Sequence, residues 1–135
     1  MLELLRIQNY ALIDELEIEF GPGLNAITGE TGAGKSIIVG ALNLVLGGRA
    51  SSDALREGAK QAKIDAIFRI AKPSSRLCAT LADQDIILEN NELLLSRVVT
   101  AEGRSRAYVG GSLVPISVLA EVGDELVDIH GQHEH

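Results

Sequence analysis

An α/β fold organised around a strand, a glycine-rich loop and a helix is the architecture this sequence predicts, and three observations predict it. Gly29-Glu30-Thr31-Gly32-Ala33-Gly34-Lys35-Ser36 fits the spacing G-x-x-x-x-G-K-[ST]. An apolar run at 24–28 precedes that loop, and Ile37, Ile38, Ala41, Leu42, Val45 and Leu46 follow it at helical spacing. Several other apolar segments alternate with a period of two, as half-buried strands do.

The elements follow in order. Residues 2–10 are mostly apolar and read as a strand. Leu16, Ile18 and Phe20 alternate with Glu15, Glu17 and Glu19, which puts one face in a core and the other in water. Gly21-Pro22-Gly23 is a turn, and 24–28 a short strand entering the loop. The helix after the loop ends at Gly47-Gly48, where glycine can take positive φ. Residues 49–62 are polar and read as loop. Ile64, Ala66, Phe68 and Ile70 alternate as a strand, and 73–82 predicts a short helix. Runs at 86–88 and 93–99 flank Glu89-Asn90-Asn91-Glu92. Asparagine tolerates the left-handed region, so a tight hairpin is expected there. A second turn at 101–104 leads into a strand at 105–109, closed by Gly110-Gly111. Residues 116–122 look helical, and 126–129 are apolar enough for a strand. The polar ending Gly131-Gln132-His133-Glu134-His135 has no terminating element, which is expected of a piece of a longer protein.

Composition narrows the class. The chain has 135 residues, 46% of them hydrophobic, which suffices for one buried core. No stretch approaches the ~20 apolar residues of a membrane span, and the acids near the N-terminus do not fit a signal peptide. Cys78 is the single cysteine, so an intrachain disulfide is impossible and a reducing cytosol fits. Its simplest role is that of a small buried apolar residue. Aromatic residues are 3% of the chain, too few for a base-stacking platform. A net charge of −7 argues against most of the surface binding a phosphate backbone.

The loop pattern has a chemical reason. A triphosphate needs many donors converging on a small volume. Backbone N–H groups supply them only where the chain wraps tightly, and Gly29, Gly32 and Gly34 remove the side chains that would obstruct the wrap. Lys35 places a cation beside the β- and γ-phosphates, Ser36 offers a hydroxyl to Mg²⁺, and the helix points its positive end at the anion. Chance gives the pattern in about one in 200 chains of this length, and the flanking strand and helix strengthen the match.

With the loop near the N-terminus, two strands before it and a glutamine-containing segment near residue 130, the chain resembles the N-terminal lobe of an ABC-type ATPase head. More closely, it resembles the RecN family of bacterial DNA-repair proteins, relatives of the structural-maintenance-of-chromosomes (SMC) proteins. Leu5-Arg6-Ile7-Gln8-Asn9-Tyr10-Ala11-Leu12-Ile13, residues 28–37, Leu46-Gly47-Gly48-Arg49-Ala50 and Gly103-Arg104-Ser105-Arg106-Ala107-Tyr108 carry the resemblance. The run Val127-Asp128-Ile129-His130-Gly131-Gln132-His133-Glu134-His135 singles out this family among phosphate-loop proteins.

That resemblance implies that residues 1–135 are the N-terminal lobe of an ATP-binding head, a partial domain with an antiparallel β-subdomain. It implies ATP and Mg²⁺ as ligands, held by Gly29, Glu30, Thr31, Gly32, Ala33, Gly34, Lys35, Ser36 and Ile37. Gln132 matches the glutamine that reaches Mg²⁺ and the attacking water, so Lys35 and Gln132 are the implied catalytic residues and Ser36 and Gln132 the implied metal contacts. Arg56 sits about where chromosome-maintenance ATPases carry a nucleotide-sensing arginine; a solvated surface arginine is the simpler alternative. The implied partners are a C-terminal lobe of the same protein, a second head joined by ATP-dependent homodimerisation, and DNA, with no membrane. The implied location is the cytoplasm, on the nucleoid. The signature motif, the Walker B acid, the catalytic glutamate and the switch histidine belong to the family's other lobe, beyond a coiled coil. The 135 residues alone are therefore expected to hydrolyse ATP negligibly. One departure is Ala11, where relatives often place a basic residue beside the phosphates.

Other readings are weighed against this one. His130, His133 and His135 lack the H-E-x-x-H spacing and a nearby cysteine, so a polar loop explains them better than a metal cluster. Asp128 and Glu89 imitate a Walker B acid, yet one closes a very short apolar run and the other abuts Asn90-Asn91. Arg97, Arg104 and Arg106 suggest either a local basic patch for DNA phosphate or, more simply, a solvated strand face with cross-strand ion pairs. A small-molecule or nucleotide kinase shares the loop motif. It also needs an acceptor pocket and an arginine-bearing lid, whereas 85–114 read as strands and turns. A non-catalytic DNA-binding scaffold with a vestigial loop is the third reading, and the intact Lys35 and Ser36 speak against it.

Overall fold

The computed structural model describes residues 1–20, 32–50 and 54–129. The predicted strand at 24–28 and the turn at 21–23 lie outside these. Strands β1 (Leu2–Tyr10), β2 (Ile13–Glu19), β3 (Gln61–Arg69), β4 (Glu92–Thr100), β5 (Ser105–Val109) and β6 (Ser112–Val114) form one sheet in the order β2-β1-β3-β4-β5-β6. Every neighbouring pair is antiparallel. Helices α1 (Gly32–Val45), α2 (Ser75–Asp83) and α3 (Ile116–Ile129) complete the described elements.

Alternation fixes which face of the sheet is dry. Ile7 stands opposite Leu16 and Ile64, Ile64 opposite Arg97, and Arg97 opposite Ala107. Leu5, Ala66, Leu95 and Val109 make the next row. These apolar residues share one buried cluster with Ala41, Leu44 and Val45 of α1, Leu77 and Leu81 of α2, and Leu119, Val122 and Leu126 of α3. The opposite face is mixed: Arg6 pairs with Glu15 at 2.9 Å and Ser96 donates to Asp65 at 2.5 Å, while Leu4, Ile67 and Leu94 stand opposite one another in an apolar row. The α/β class and the antiparallel β-subdomain therefore stand.

Turn chemistry accounts for the connections. Asn90 and Asn91 both have positive φ, 54° and 61°, and close the expected tight turn between Glu89 and Glu92. The run 86–88 does not form the expected strand. Ile86 instead turns inward after α2, its N–H bonded to Leu81 O at 2.9 Å. Gly110 and Gly111, at φ 60° and 87°, form a second two-residue turn that creates β6. That short strand was not expected from the sequence, although paired glycines between apolar residues are a hairpin signal.

The largest departure is at 126–129, which is the last turn of α3 rather than a strand. A short apolar run is ambiguous by itself. Leu119, Val122 and Leu126 settle it, because they continue one buried helical stripe through Gly123. Cys78 is also exposed on α2 rather than buried.

Helix α2 starts at Ser74, whose Oγ accepts the Leu77 N–H at 3.0 Å and donates to Glu125 Oε1 on α3 at 2.7 Å. Losing an N-cap costs about 1 kcal/mol. Ser74→Ala is expected to lower the urea midpoint accordingly; an unchanged midpoint would show that the cap contributes nothing.

Candidate functional site

The N-terminal end of α1 carries the phosphate-loop motif. Gly29, Glu30 and Thr31 lie outside the described residues, whereas Gly32, Ala33, Gly34, Lys35, Ser36 and Ile37 form the opening turns of the helix. Lys35 and Ser36 are both exposed. The first turn of α1 contains no acidic residue and the last turn no basic one. A lysine near a helix N-terminus opposes the macrodipole, at a cost of about 0.3–1 kcal/mol. Helix stability alone therefore argues against this placement. The N-terminal end of a helix, an ammonium and a hydroxyl together suit an anion with a coordinated divalent cation.

The opposite end of α1 is closed tightly. Gly47 takes φ 100°, its N–H bonds Leu44 O at 3.1 Å, and the Gly48 N–H bonds Asn43 O at 2.9 Å. This is the Schellman arrangement, with glycine at the left-handed position as expected. Two further contacts brace it. A Cβ on Gly47 would lie 2.4 Å from Ala120 Cα, and one on Gly123 would lie 2.3 Å from Leu46 O. Backbone thus meets backbone where α3 crosses the end of α1.

Arg97 supplies the second brace. Its Nη1 donates to Leu44 O at 2.7 Å and to Gly48 O at 2.9 Å, and its Nε donates to Ser105 Oγ at 2.7 Å. The residue is 3% exposed, and burial lowers its pKa from the usual arginine value. It is neither part of a basic patch nor on a solvated strand face, while Arg104 and Arg106 are exposed. The signal was present in the sequence: Leu93, Leu95, Arg97 and Val99 share one side of a strand, so the arginine had to enter the core or distort the strand.

Just past the middle of α1, Tyr10 reaches the helix. Its hydroxyl stands 2.6 Å from where a Cβ on Gly40 would lie, about one turn past Ser36. Burial raises the pKa of that hydroxyl. The end of β1 also anchors the segment bearing Arg56. Ala11 N–H bonds Ala54 O at 2.6 Å, Arg56 N–H bonds Asn9 O at 2.8 Å, and Tyr10 bridges Leu55. This brings Arg56 to the end of the sheet where Tyr10 meets α1. Its exposed guanidinium lies 3.8 Å from Asp14, a reach at which such a pair contributes little. Ala11 itself has φ 54°. Gln132 and the histidines beyond Ile129 lie outside the described residues. Among the described residues no cluster of metal ligands is found.

An antiparallel sheet carrying a helix with the phosphate-loop motif at its head is the fold of the N-terminal lobe of an ATPase head. The sequence matches the AAA domain family over residues 4–98, and the chain belongs to that family. Its relatives are of the RecN type, as the terminal run implied. It is 48% identical over 129 residues to the DNA repair protein RecN of Streptomyces coelicolor, covering 95% of this chain and 22% of that protein. It is 42% identical over its whole length to RecN of Vibrio cholerae, covering 24% of that protein. The chain thus spans about a quarter of the length of the curated relatives it matches. Among solved structures, it superposes with a TM-score of 0.68 and 27% identity on a chain from work on ATP-driven dimerization and DNA stimulated activation of SMC ATPases. That match covers 90% of this chain and 76% of the other. The Smc head of Pyrococcus yayanosii gives a TM-score of 0.69 at 24% identity, over 92% of this chain and 25% of that one, and shares the fold.

Proposed function

We propose that residues 1–135 are the N-terminal, MgATP-binding lobe of a RecN-like ATPase head acting in repair of DNA double-strand breaks. The observation that carries the reading is the first turn of α1: an exposed lysine and an exposed serine, with no acid, directly after the glycines. In this reading backbone N–H groups from Gly29 to Gly34 cradle the phosphates, and Lys35 neutralises the β- and γ-oxygens. Ser36 and Gln132 hold Mg²⁺, and Arg56 approaches the nucleotide from the β1 end. When bound, Mg²⁺ supplies charge neutralisation on the phosphates. Gln132 follows α3 closely, so its reach depends on where α3 docks.

Hydrolysis, in this reading, belongs to the larger protein. The relatives' additional length leaves room for a C-terminal lobe and DNA-binding parts, and a second copy of the protein would supply the second head. An apolar cleft lined by Met1, Leu2, Leu42, Leu46, Phe68 and Leu126 is suited to receive such a lobe. The acidic balance of this lobe directs DNA to other parts. No described helix is long and apolar enough to cross a membrane, and a cytoplasmic, nucleoid-associated protein is the proposed setting. The kinase reading is weaker, because β4, β5 and β6 with their tight turns occupy the region where a lid would be required.

Lys35→Ala in the full-length protein is expected to weaken MgATP binding about 100-fold, roughly 2.7 kcal/mol, with an unchanged unfolding midpoint. Gln132→Ala is expected to slow turnover more than it weakens binding. Calorimetric titration showing wild-type affinity in Lys35→Ala would end the proposal. Phosphate transfer to a small acceptor would decide for the kinase.

A further inference from the structure

We propose that Arg97 is a positioning residue for the nucleotide: by gripping the last turn of α1, it sets where the first turn, with Lys35 and Ser36, stands. This inference rests on the MgATP reading above.

The argument begins with an anomaly. Arg97 occupies a core position on a central strand, between Leu95 and Val99 on the same face and opposite Ile64 and Ala107. None of the ion pairs among the described residues involves it. Its counter-charge is the C-terminal end of α1, where the helix dipole places roughly half a negative charge. A hydrophobic residue of similar volume at such a site is often as stable as a buried ion. Stability alone therefore does not explain the choice.

Directional bonds do what apolar packing cannot. Ridges of a helix sliding over a sheet meet similar surfaces at successive turns, whereas a guanidinium bonded to two particular carbonyls admits one axial position. Leu44 O and Gly48 O lie on either side of the Schellman turn, so Arg97 reads the end of the helix itself. A helix of 14 residues is a rod of about 21 Å. Fixing its far end along the axis, with Tyr10 against Gly40 limiting lateral movement, fixes the end that meets phosphate. Small errors in the placement of such groups carry large penalties. Ser105, bonded to Nε, keeps the guanidinium pointed at the carbonyls.

One nitrogen, Nη1, makes both carbonyl bonds. Lysine can therefore replace the function in part, since its ammonium has three donors, while methionine cannot. The test is MgATP titration by calorimetry into the full-length protein, well below each variant's unfolding midpoint. Arg97→Met is expected to weaken binding about tenfold, and Arg97→Lys and Ser105→Ala each about threefold. A residue that only stabilises the fold would move the midpoint and leave the dissociation constant alone. Wild-type affinity in folded Arg97→Met overturns the proposal, and so does an Arg97→Lys protein as weak as Arg97→Met. If Arg97→Met fails to fold, wild-type affinity in both Arg97→Lys and Ser105→Ala overturns it equally. Lys35→Ala separates the two readings: affinity lost there but kept in Arg97→Met removes only the role of Arg97, whereas no loss in Lys35→Ala removes the MgATP reading beneath it.

Discussion

Gly123→Ala is expected to destabilise the lobe by about 3 kcal/mol, although alanine is the better helix former. Two effects oppose each other. In a helix interior the exchange gains about 0.8–1 kcal/mol of propensity. Against it, the new methyl would sit 2.3 Å from Leu46 O, 3.0 Å from its carbonyl carbon and 3.1 Å from its Cα. All three atoms are backbone, and no rotamer change can remove them. Helix α3 would have to lift from α1, uncovering Leu119, Val122 and Leu126, which are fully buried. Overpacking of this kind costs about 1–3 kcal/mol, more when backbone must move. Denaturant unfolding decides between the two effects by sign: a midpoint at or above wild type would mean that α3 is not seated as described.

Gly47→Val is expected to cost still more, about 4 kcal/mol. The left-handed φ of 100° is strained for a β-branched residue, and a Cβ there would lie 2.4 Å from Ala120 Cα and 2.7 Å from Ala120 N. Gly103 provides the control. Its φ of 92° is similar, but nothing lies within 4 Å of the position a Cβ would take. Gly103→Val therefore reports conformational strain, and the excess at Gly47 reports the seat of α3. Equal losses at the two sites would remove the helix–helix contact from the account.

Both glycines show what a linear sequence conveys and what it does not. Gly47 was legible because a helix stop needs only local chemistry, and its left-handed conformation follows from the position just after an apolar helical stripe. Gly123 was not, since its reason is a carbonyl brought from 77 residues away, and the helix containing it was expected to end one residue earlier. The same division runs through the fold. Strands β1 to β5 follow from alternation and turn residues, which act over a few positions. The run at 126–129 and the short strand β6 are too brief for periodicity to decide, and tertiary packing decides them. The place of Lys35 and Ser36 at the head of a helix was legible from spacing. Arg97 was misplaced because its partners, Leu44 O and Gly48 O, are backbone atoms of another element and leave no trace in residue identity. Arg56 is held at the β1 end by its own main-chain bond to Asn9 and by the bond between Ala54 and Ala11, which side-chain patterns do not encode.

The strand order has a kinetic consequence. Strands β3, β4, β5 and β6 pair with their neighbours in sequence, while β1 must meet β3 across the long excursion that holds α1. The β4-β5 and β5-β6 ladders are closed by short turns and the β3-β4 ladder by residues 70–91 around α2, all shorter than the stretch 11–60 between β1 and β3, so they carry less loop entropy and form faster. The meander is thus the natural nucleus, and β1 with its hairpin partner joins later, drawing the phosphate-loop helix into place as it zips. In refolding, recovery of nucleotide affinity should therefore lag behind recovery of sheet signal.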